Sequence, residues 1–270
     1  MTVKALVLSG YGLNCDVETA HAFTMAGAEA QRVHINALIN KEVRLEDFQI
    51  MAFIGGFSWG DDHGAGVVQA VRMKTRLGDD LLDFVNRGKL VIGICNGFQT
   101  LVNTGLLPGI NGDYTSREVA LLHNDCGNFR DHWVHLKANA ASPCVFTKGL
   151  DKLMLPIRHG EGKFYAEKPV LDTLLQNQQI ALTYTGPDFS PARGEFPANP
   201  NGSLMDIAGI CDQTGHVFGL MPHPEAYLFA TNHPLWTKDN EQAKRGNKPD
   251  FFKKDTTGAQ IFMNAVNFFI

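Results

Sequence analysis

The sequence lacks the features that would place the chain in a membrane or on a nucleic acid. Its apolar runs are short: the stretch from Met51 to Phe57 falls far below the roughly 18 residues that a membrane-spanning helix needs. Neither sign of charge dominates, since 24 Lys and Arg stand against 28 Asp and Glu, for a net charge of −4. This balance gives no broad positive field for nucleic acid or an anionic membrane. The apolar N-terminal segment is too short for a secretory signal. We therefore expect a cytoplasmic protein that binds neither nucleic acid nor membrane.

Cysteine is scarce and scattered. The five cysteines, an odd number, stand at positions 15, 95, 126, 144 and 211. This spacing provides neither a disulfide framework nor the C-x-x-C pairs of a metal site. A phosphate-binding loop is missing too, because no glycine-rich turn is followed by Gly-Lys-Ser or Gly-Lys-Thr. We expect no metal site and no cofactor in this chain, and each thiol must be judged by its own surroundings.

The first hundred residues alternate short β-branched runs with longer helical patterns. With 44% hydrophobic residues in 270, the chain can bury the core of one large domain or two small ones. The alternation of strand and helix is typical of βαβ units around a parallel sheet. The predicted strands are 4–8, 31–34, 50–54 and 90–94, and the predicted helices are 16–25 and 67–85.

Beyond Gly112 the pattern changes to short alternating segments, which predict an antiparallel extension of the sheet. One of them, 206–210, is followed by a turn and then by 217–220, as in a β-hairpin. Residues 186–202 hold four of the 12 prolines and predict a long loop. A terminal helix should carry Ile261, Ala265 and Phe268 on one face. We expect a single α/β domain over 1–270, with a mostly parallel central sheet, flanking helices and an antiparallel extension.

The strongest local signal is a G-x-C-x-G sequence, Gly93 to Gly97, with Cys95 at its centre. It lies where the predicted strand 90–94 meets a helical pattern. Such glycines permit a sharp turn that projects a nucleophile. The helix N-terminus lowers the thiol pKa and favours developing negative charge. The alternative is a buried structural cysteine beside chance glycines, which are frequent in this chain.

A thiol that attacks an amide carbon needs a base, and the base needs an orienting group. The segment from Met221 to Glu225 offers both. Prolines 222 and 224 stiffen the backbone around His223, and Glu225 can point the same way in an extended segment. A chance pairing is the alternative, because the chain has 10 histidines. The order along the chain favours a triad of Cys95, His223 and Glu225.

A glycine pair follows the predicted strand 50–54. Gly55 and Gly56 can present bare N–H groups, and together with the N–H of Asn96 they would stabilise an oxyanion on a tetrahedral intermediate. A simple glycine-rich turn is the alternative interpretation. The sequence thus supplies candidates for a nucleophile, a base, an orienting carboxylate and an oxyanion hole.

Several motifs in order resemble those of one family. They are Gly12-x-Asn14-Cys15-Asp16, Gly55-Gly56-Phe57-Ser58-Trp59-Gly60-Asp61, Gly93-Ile94-Cys95-Asn96-Gly97-Phe98-Gln99, His159-Gly160-Glu161-Gly162, Asn199-Pro200-Asn201-Gly202-Ser203 and Pro222-His223-Pro224-Glu225. Together they resemble the glutaminase subunits of phosphoribosylformylglycinamidine synthase, which are class I, triad-type glutamine amidotransferases with a flavodoxin-like fold. The motifs span residues 10 to 225, and their combination is far more specific than any single one.

The resemblance implies an activity, a substrate and partners. Cys95 would attack the side-chain amide of glutamine, His223 would move the proton and Glu225 would fix the imidazole. Gly55, Gly56, Phe57, Asn96 and Gln99 would bind the substrate. Ammonia would pass to a large synthetase subunit that uses ATP and Mg, and many such systems also contain a small third subunit. A free-standing cysteine amidohydrolase and a catalytically silent assembly subunit are the alternatives.

Two positions depart from the family pattern: Ala226 stands where Arg is common, and the stretch 228–258 is longer than usual. Neither touches the proposed triad, so they bear on the partner-facing surface. Cys15 is expected to have a packing role, because the sequence places no elbow or base beside it. His159 and Glu161 are expected either in a structural loop or at the rim of an ammonia channel.

Overall fold

The computed structural model describes residues 2–246, 252 and 255–270. Its strands are β1 (Lys4–Ser9), β2 (Glu29–His34), β3 (Ile50–Phe53), β4 (Leu90–Ile94), β5 (Val119–His123), β6 (Arg130–Ala138), β7 (Lys152–His159), β8 (Glu161–Ala166), β9 (Ile180–Thr185), β10 (Ile207–Cys211) and β11 (Val217–Leu220). Its α-helices are α1 (Asp16–Met25), α2 (Ile35–Ile39), α3 (Val67–Asn86), α4 (Asn96–Thr104), α5 (Lys168–Gln176), α6 (Trp236–Arg245) and α7 (Thr257–Asn267).

Within this described part, a nine-stranded sheet runs in the order β2-β1-β3-β4-β11-β10-β9-β6-β7. The five strands from β2 to β11 pair in parallel, and the remaining pairings are antiparallel. Strands β3 and β4 are buried along their whole length, as strands covered on both faces should be. The predicted α/β fold, with its mostly parallel sheet and its antiparallel extension, is confirmed.

The flanking helices lie on both faces of the sheet. The α1 crossover leads from β1 to β2 and the α3 crossover leads from β3 to β4, in opposite directions along the sheet. Because such crossovers are right-handed, the two helices cover opposite faces. Phe23 of α1 packs edge-to-face on Phe262 of α7, with 5.0 Å between ring centroids. No described helix is long and apolar enough to cross a membrane.

Three details refine the sequence prediction. The hairpin of β10 and β11 and the irregular segment 186–202 are confirmed. Phe268 was wrongly placed on the buried face of the terminal helix: α7 ends at Asn267, and the Phe268 side chain is 44% exposed beyond that end. A small second sheet of β5 and β8 was not predicted. Only Gly160 separates β8 from β7, so the chain passes directly from the large sheet to the small one.

Candidate active site

Cys95 occupies the turn between β4 and α4 with an unfavourable backbone conformation. Its φ is +52° and its ψ is −106°, a combination that L-residues rarely adopt. Its N–H donates to Leu220 O at 2.8 Å, which ties the turn to the end of β11. The side chain is 5% exposed and its Sγ lies 3.7 Å from Arg158 O. The turn therefore holds the thiol at one fixed position above the sheet edge.

The neighbouring glycines serve close packing rather than the turn itself. A Cβ on Gly97 would lie 1.9 Å from Phe53 O, and a Cβ on Gly93 would lie 2.6 Å from Leu101 Cδ1. A Cβ on Gly93 would also lie 2.8 Å from the backbone oxygen of Gly97, so neither position accepts a larger residue unless the backbone moves. The sequence prediction located the elbow correctly, but the positive φ lies at Cys95 and the two glycines let α4 approach β3 and β4.

His223 and Glu225 form a buried pair directly after β11. His223 Nδ1 and Glu225 Oε1 are 2.5 Å apart, and both side chains are almost completely buried. Burial alone would lower the pKa of His223, but the Glu225 carboxylate and the Cys95 thiol outweigh it and hold that pKa well above its usual value. Buried His223 Nε2 and Glu225 Oε2 have no hydrogen-bond partner in the described part of the chain. The pair is thus an oriented, proton-binding imidazole beside a thiol.

The glycine pair after β3 lets two strand ends meet. A Cβ on Gly55 would lie 2.7 Å from His223 Cε1, and a Cβ on Gly56 would lie 2.7 Å from Gly12 O. Gly56 also has a φ of +147°, which favours glycine. The Phe57 N–H is already donated to Gly12 O at 2.8 Å. Of the N–H groups near the turn, those of Gly55, Gly56 and Asn96 remain as candidates for an oxyanion hole.

A cavity of about 440 Å³ opens beside Cys95. Among the residues predicted to bind substrate, Gly56, Phe57 and Gln99 line it, whereas Gly55 and Asn96 do not. The cavity is large enough for an amino acid, at the lower end of the range for small-ligand sites.

Asn96 and Gln99 brace the cavity wall from α4. Asn96 Nδ2 donates to Asp61 Oδ1 and to Gln99 Oε1, each at 3.0 Å. Gln99 Nε2 donates to the backbone oxygen of Glu161 at 2.6 Å. Both amides hold acidic residues in place, a role that the sequence did not reveal.

Asp61 and Arg158 were missed as candidates for the charged lining of the cavity, and Glu161, which was expected in a structural loop or at a channel rim, lines it too. Burial, helped by the nearby Glu161 charge, raises the pKa of Asp61 to about 6 against a hydrogen bond from Asn96 that lowers it. Two acidic residues and one arginine therefore line the same cavity as Cys95. The quoted motifs around Asp61 and Glu161 were the sequence signals for two of them, and no motif marked Arg158, because their convergence depends on β7 and β8 meeting α4.

His159 lies at the end of β7 and is buried, while Glu161 begins β8. Both line the cavity, so neither lies in a separate structural loop. Burial lowers the pKa of His159 to about 3, helped by the charges of His223 and His132. Its Nδ1 lies 3.1 Å from Asn124 Oδ1. A Cβ on Gly162 would lie 2.4 Å from the imidazole, which explains the glycine at that position. His159 is a neutral wall residue.

The expectation that Cys15 has no base beside it was wrong. Cys15 Sγ, a His223 nitrogen and a Glu225 oxygen lie within 4.8 Å of one another. Burial raises the pKa of Cys15, and the His223 imidazole beside it offsets part of that rise. A Cβ on Gly55 would lie 3.2 Å from Cys15 Sγ, so the glycine makes room for the thiol. The site therefore holds two thiols.

Residues 2–269 match the family model described as the CobB/CobQ-like glutamine amidotransferase domain. The structure of PurLQS from Thermotoga maritima matches with a TM-score of 0.71 and 28% identity, covering 100% of both chains. A glutamine amidotransferase from the same organism matches with a TM-score of 0.53 and 12% identity, covering 99% of this chain and 97% of that one, which is a likeness of fold alone. Fold and sequence thus define the class: a glutamine amidotransferase.

Individual relatives identify the family more narrowly than the class. The phosphoribosylformylglycinamidine synthase subunit PurQ of Methanococcus maripaludis is 48% identical over 268 residues, which cover 98% of this chain and 97% of the relative. The PurQ subunit of Dehalococcoides mccartyi is 45% identical over 264 residues, covering 98% and 96%. The chain belongs to the PurQ family.

Proposed function

We propose that the chain is the glutaminase subunit of a phosphoribosylformylglycinamidine synthase, and that Cys95, His223 and Glu225 are its catalytic triad. It hydrolyses glutamine to glutamate and ammonia and delivers the ammonia to a synthetase subunit in purine biosynthesis. One observation carries the assignment of the site. A strained cysteine and a buried His–Glu pair lie at the ends of the paired strands β4 and β11, beside a charged cavity.

The chemistry follows from these positions. His223 takes the Cys95 proton, and the thiolate attacks the side-chain amide carbon of glutamine. The N–H groups of Gly56 and Asn96 stabilise the oxyanion. His223, held by Glu225, returns the proton to the departing nitrogen, so ammonia leaves and a thioester remains. Water activated by His223 then cleaves the thioester, which releases glutamate and restores the thiol.

The cavity lining matches the charges of free glutamine. The Asp61 and Glu161 carboxylates suit the α-ammonium group, and the Arg158 guanidinium suits the α-carboxylate. Gln99 and Asn96 then bind substrate indirectly, because they position Glu161 and Asp61. Gly55 acts by allowing the approach of His223, and Phe57 covers the mouth.

The cavity mouth also suits a partner subunit. Phe57 and Phe129 line the cavity and pack together at 6.3 Å between centroids, yet they are 47% and 50% exposed. Exposed aromatic residues are enriched at protein interfaces. We propose that the large synthetase subunit docks here, that it supplies the ATP and Mg chemistry, and that a small third subunit completes the complex.

Two further expectations belong to this proposal. A single domain over residues 1–270 is supported by the sheet that runs from β1 near the N-terminus to β11. The cytoplasmic location stays a prediction from the sequence.

The test is a reconstituted complex in which Cys95→Ala is compared with Cys126→Ala, a change at a thiol outside the cavity lining. Cys95→Ala should abolish synthesis from glutamine and leave synthesis from added ammonium salts intact, because only ammonia production needs the thiolate. Cys126→Ala should retain both. Glutamine-dependent synthesis by Cys95→Ala would remove Cys95 as the nucleophile. Amide hydrolysis without the partner and without preference for glutamine would instead support a free-standing amidohydrolase.

A further inference from the structure

A second thiol lies against the imidazole and the carboxylate of the proposed triad, and the glutaminase chemistry does not use it. Cys15 follows β1 and forms the N-cap of α1, whereas His223 and Glu225 follow β11. The donor atoms of the three side chains lie within 4.8 Å of one another. Two of the three side chains are almost completely buried. A thiol, an imidazole and a carboxylate therefore converge without an assigned joint role.

The donor set is one that zinc prefers. Thiolate, imidazole nitrogen and carboxylate oxygen are its common protein ligands, and they exclude hard cations such as Mg²⁺, which require oxygen. Tetrahedral zinc holds its ligand atoms about 3.4–3.8 Å apart, as follows from bond lengths of about 2.0–2.3 Å. To reach this geometry the Cys15 thiol must move about 1 Å closer, and His223 Nδ1 and Glu225 Oε1, now 2.5 Å apart, must separate by about 1 Å.

Two features favour occupancy. His223 Nε2 and Glu225 Oε2 are buried atoms without a hydrogen-bond partner among the described residues, and such atoms gain from a ligand. The missing side chain of Gly55 leaves open the space beside the thiol and the imidazole, where a Cβ would lie 3.2 Å from Cys15 Sγ and 2.7 Å from His223 Cε1.

We propose that Cys15, His223 and Glu225 form a zinc site whose occupancy switches the glutaminase off. On binding, the Cys15 thiol and the protonated His223 imidazole each release one proton to solvent, so His223 binds as neutral imidazole, and no electron is transferred. A neutral imidazole that binds zinc through one nitrogen carries its proton on the other, so neither nitrogen can accept the Cys95 proton, and the zinc ligand Glu225 no longer serves the imidazole alone. The inhibitory half of the proposal rests on the proposed function, whereas zinc binding does not.

The first experiment measures zinc binding to the purified, tag-free full-length chain by competition with a chromogenic chelator, without glutamine. The unmodified chain, Cys95→Ala and the control Cys126→Ala should bind one zinc with similar affinity. Cys15→Ala should bind it at least tenfold more weakly. Equal affinity in Cys15→Ala, or loss of zinc in Cys95→Ala, would overturn the site. Cys15→Ser replaces Cys15→Ala if the alanine variant does not fold.

Cobalt identifies the thiol directly. In Cys95→Ala, bound Co²⁺ should give thiolate-to-metal charge-transfer absorption, and the double variant Cys95→Ala/Cys15→Ser should lose it. Persistence of that absorption in the double variant would contradict a Cys15 ligand.

The second experiment measures glutamate release by the reconstituted complex at increasing zinc, each variant being compared with its own zinc-free rate. Cys15→Ser should need at least tenfold more zinc for half-inhibition. Excess chelator should restore the activity of the unmodified complex. Zinc bound through Cys15 without inhibition would overturn the switch. A complex that binds zinc but never hydrolyses glutamine would refute the proposed function and leave the metal site standing.

Discussion

At the scale of single residues, His223 and Glu225 have different proposed roles, proton carrier and orienting group, and mutation can separate them. His223→Asn removes the proton carrier, so we expect glutamate release by the complex to fall about 10²–10⁴-fold. Glu225→Gln keeps a polar group beside Nδ1 and should cost less, since an orienting group is less essential than the base it orients. Steady-state glutamate assays, with thermal melts to confirm folding, measure both. Equal and complete losses in folded variants would contradict this ranking.

Asp61 gives the site a dependence on pH. Its raised pKa of about 6 means that the carboxylate is protonated as the pH falls through about 6, and a neutral Asp61 no longer attracts the α-ammonium of glutamine. The KM for glutamine should therefore rise below pH 6. Asp61→Asn should raise the KM about tenfold at pH 7.5, in line with the loss of one charge-assisted hydrogen bond, and should abolish this pH dependence of KM.

The matched control is Asp62→Asn, because the Asp62 side chain is exposed next to Asp61. It should leave both the KM and its pH dependence unchanged. Proton uptake by the Cys95–His223 pair also slows the reaction at acid pH, but it acts on kcat. An Asp61→Asn enzyme with an unaltered KM would show that Asp61 does not face the substrate.

At the scale of elements, the strand order explains why the sequence revealed some of the site and missed the rest. The βαβ alternation and the G-x-C-x-G turn are local, so strand 90–94 and Cys95 were predictable. The adjacency of β1, β3, β4 and β11 is not local. It brings the residues that follow four strands to one edge of the sheet, and it places Cys15 beside His223 although the two are far apart in sequence.

The small sheet of β5 and β8 was likewise beyond what the sequence could predict. β5 and β8 are short, and their pairing is irregular between Leu122 and His123. Such segments carry a weak periodic signal. Asp61, Arg158 and Glu161 converge only because β8 turns away from β7 at Gly160, and no spacing in the sequence encodes that turn. Phe268 fits the helical period, but the period does not tell where a helix ends.

At the scale of the whole molecule, we expect the isolated chain to be a poor glutaminase that its synthetase partner activates. Gly56 belongs to the proposed oxyanion hole and Gly55 precedes it, and glycine pairs have a wide choice of backbone conformations. Docking over Phe57 would select the competent geometry and shift the population toward it. Activation by the partner would prevent the hydrolysis of glutamine when no ammonia acceptor is present.

The measurement compares glutamate release by the chain alone, with the synthetase, and with the synthetase plus ATP and acceptor. The rate should rise at least tenfold between the first and the last mixture. Phe57→Ser should weaken this activation, because it removes an exposed aromatic residue from the proposed docking surface. Full and equal turnover in all three mixtures would rule out activation by the partner.

The backbone conformation of Cys95 makes the proposed nucleophile a source of strain in the native fold. A residue at φ +52° and ψ −106° costs about 1–3 kcal/mol, and alanine in its place keeps a Cβ and hence the strain. Glycine relieves it, at an entropic cost of about 0.5–1 kcal/mol. Of two inactive proteins, Cys95→Gly should thus melt a few degrees above Cys95→Ala, in a calorimetric comparison. An equal or lower melting temperature would show that the turn is relaxed. Selection for stability alone would replace this cysteine, so its presence reflects a compromise between stability and activity.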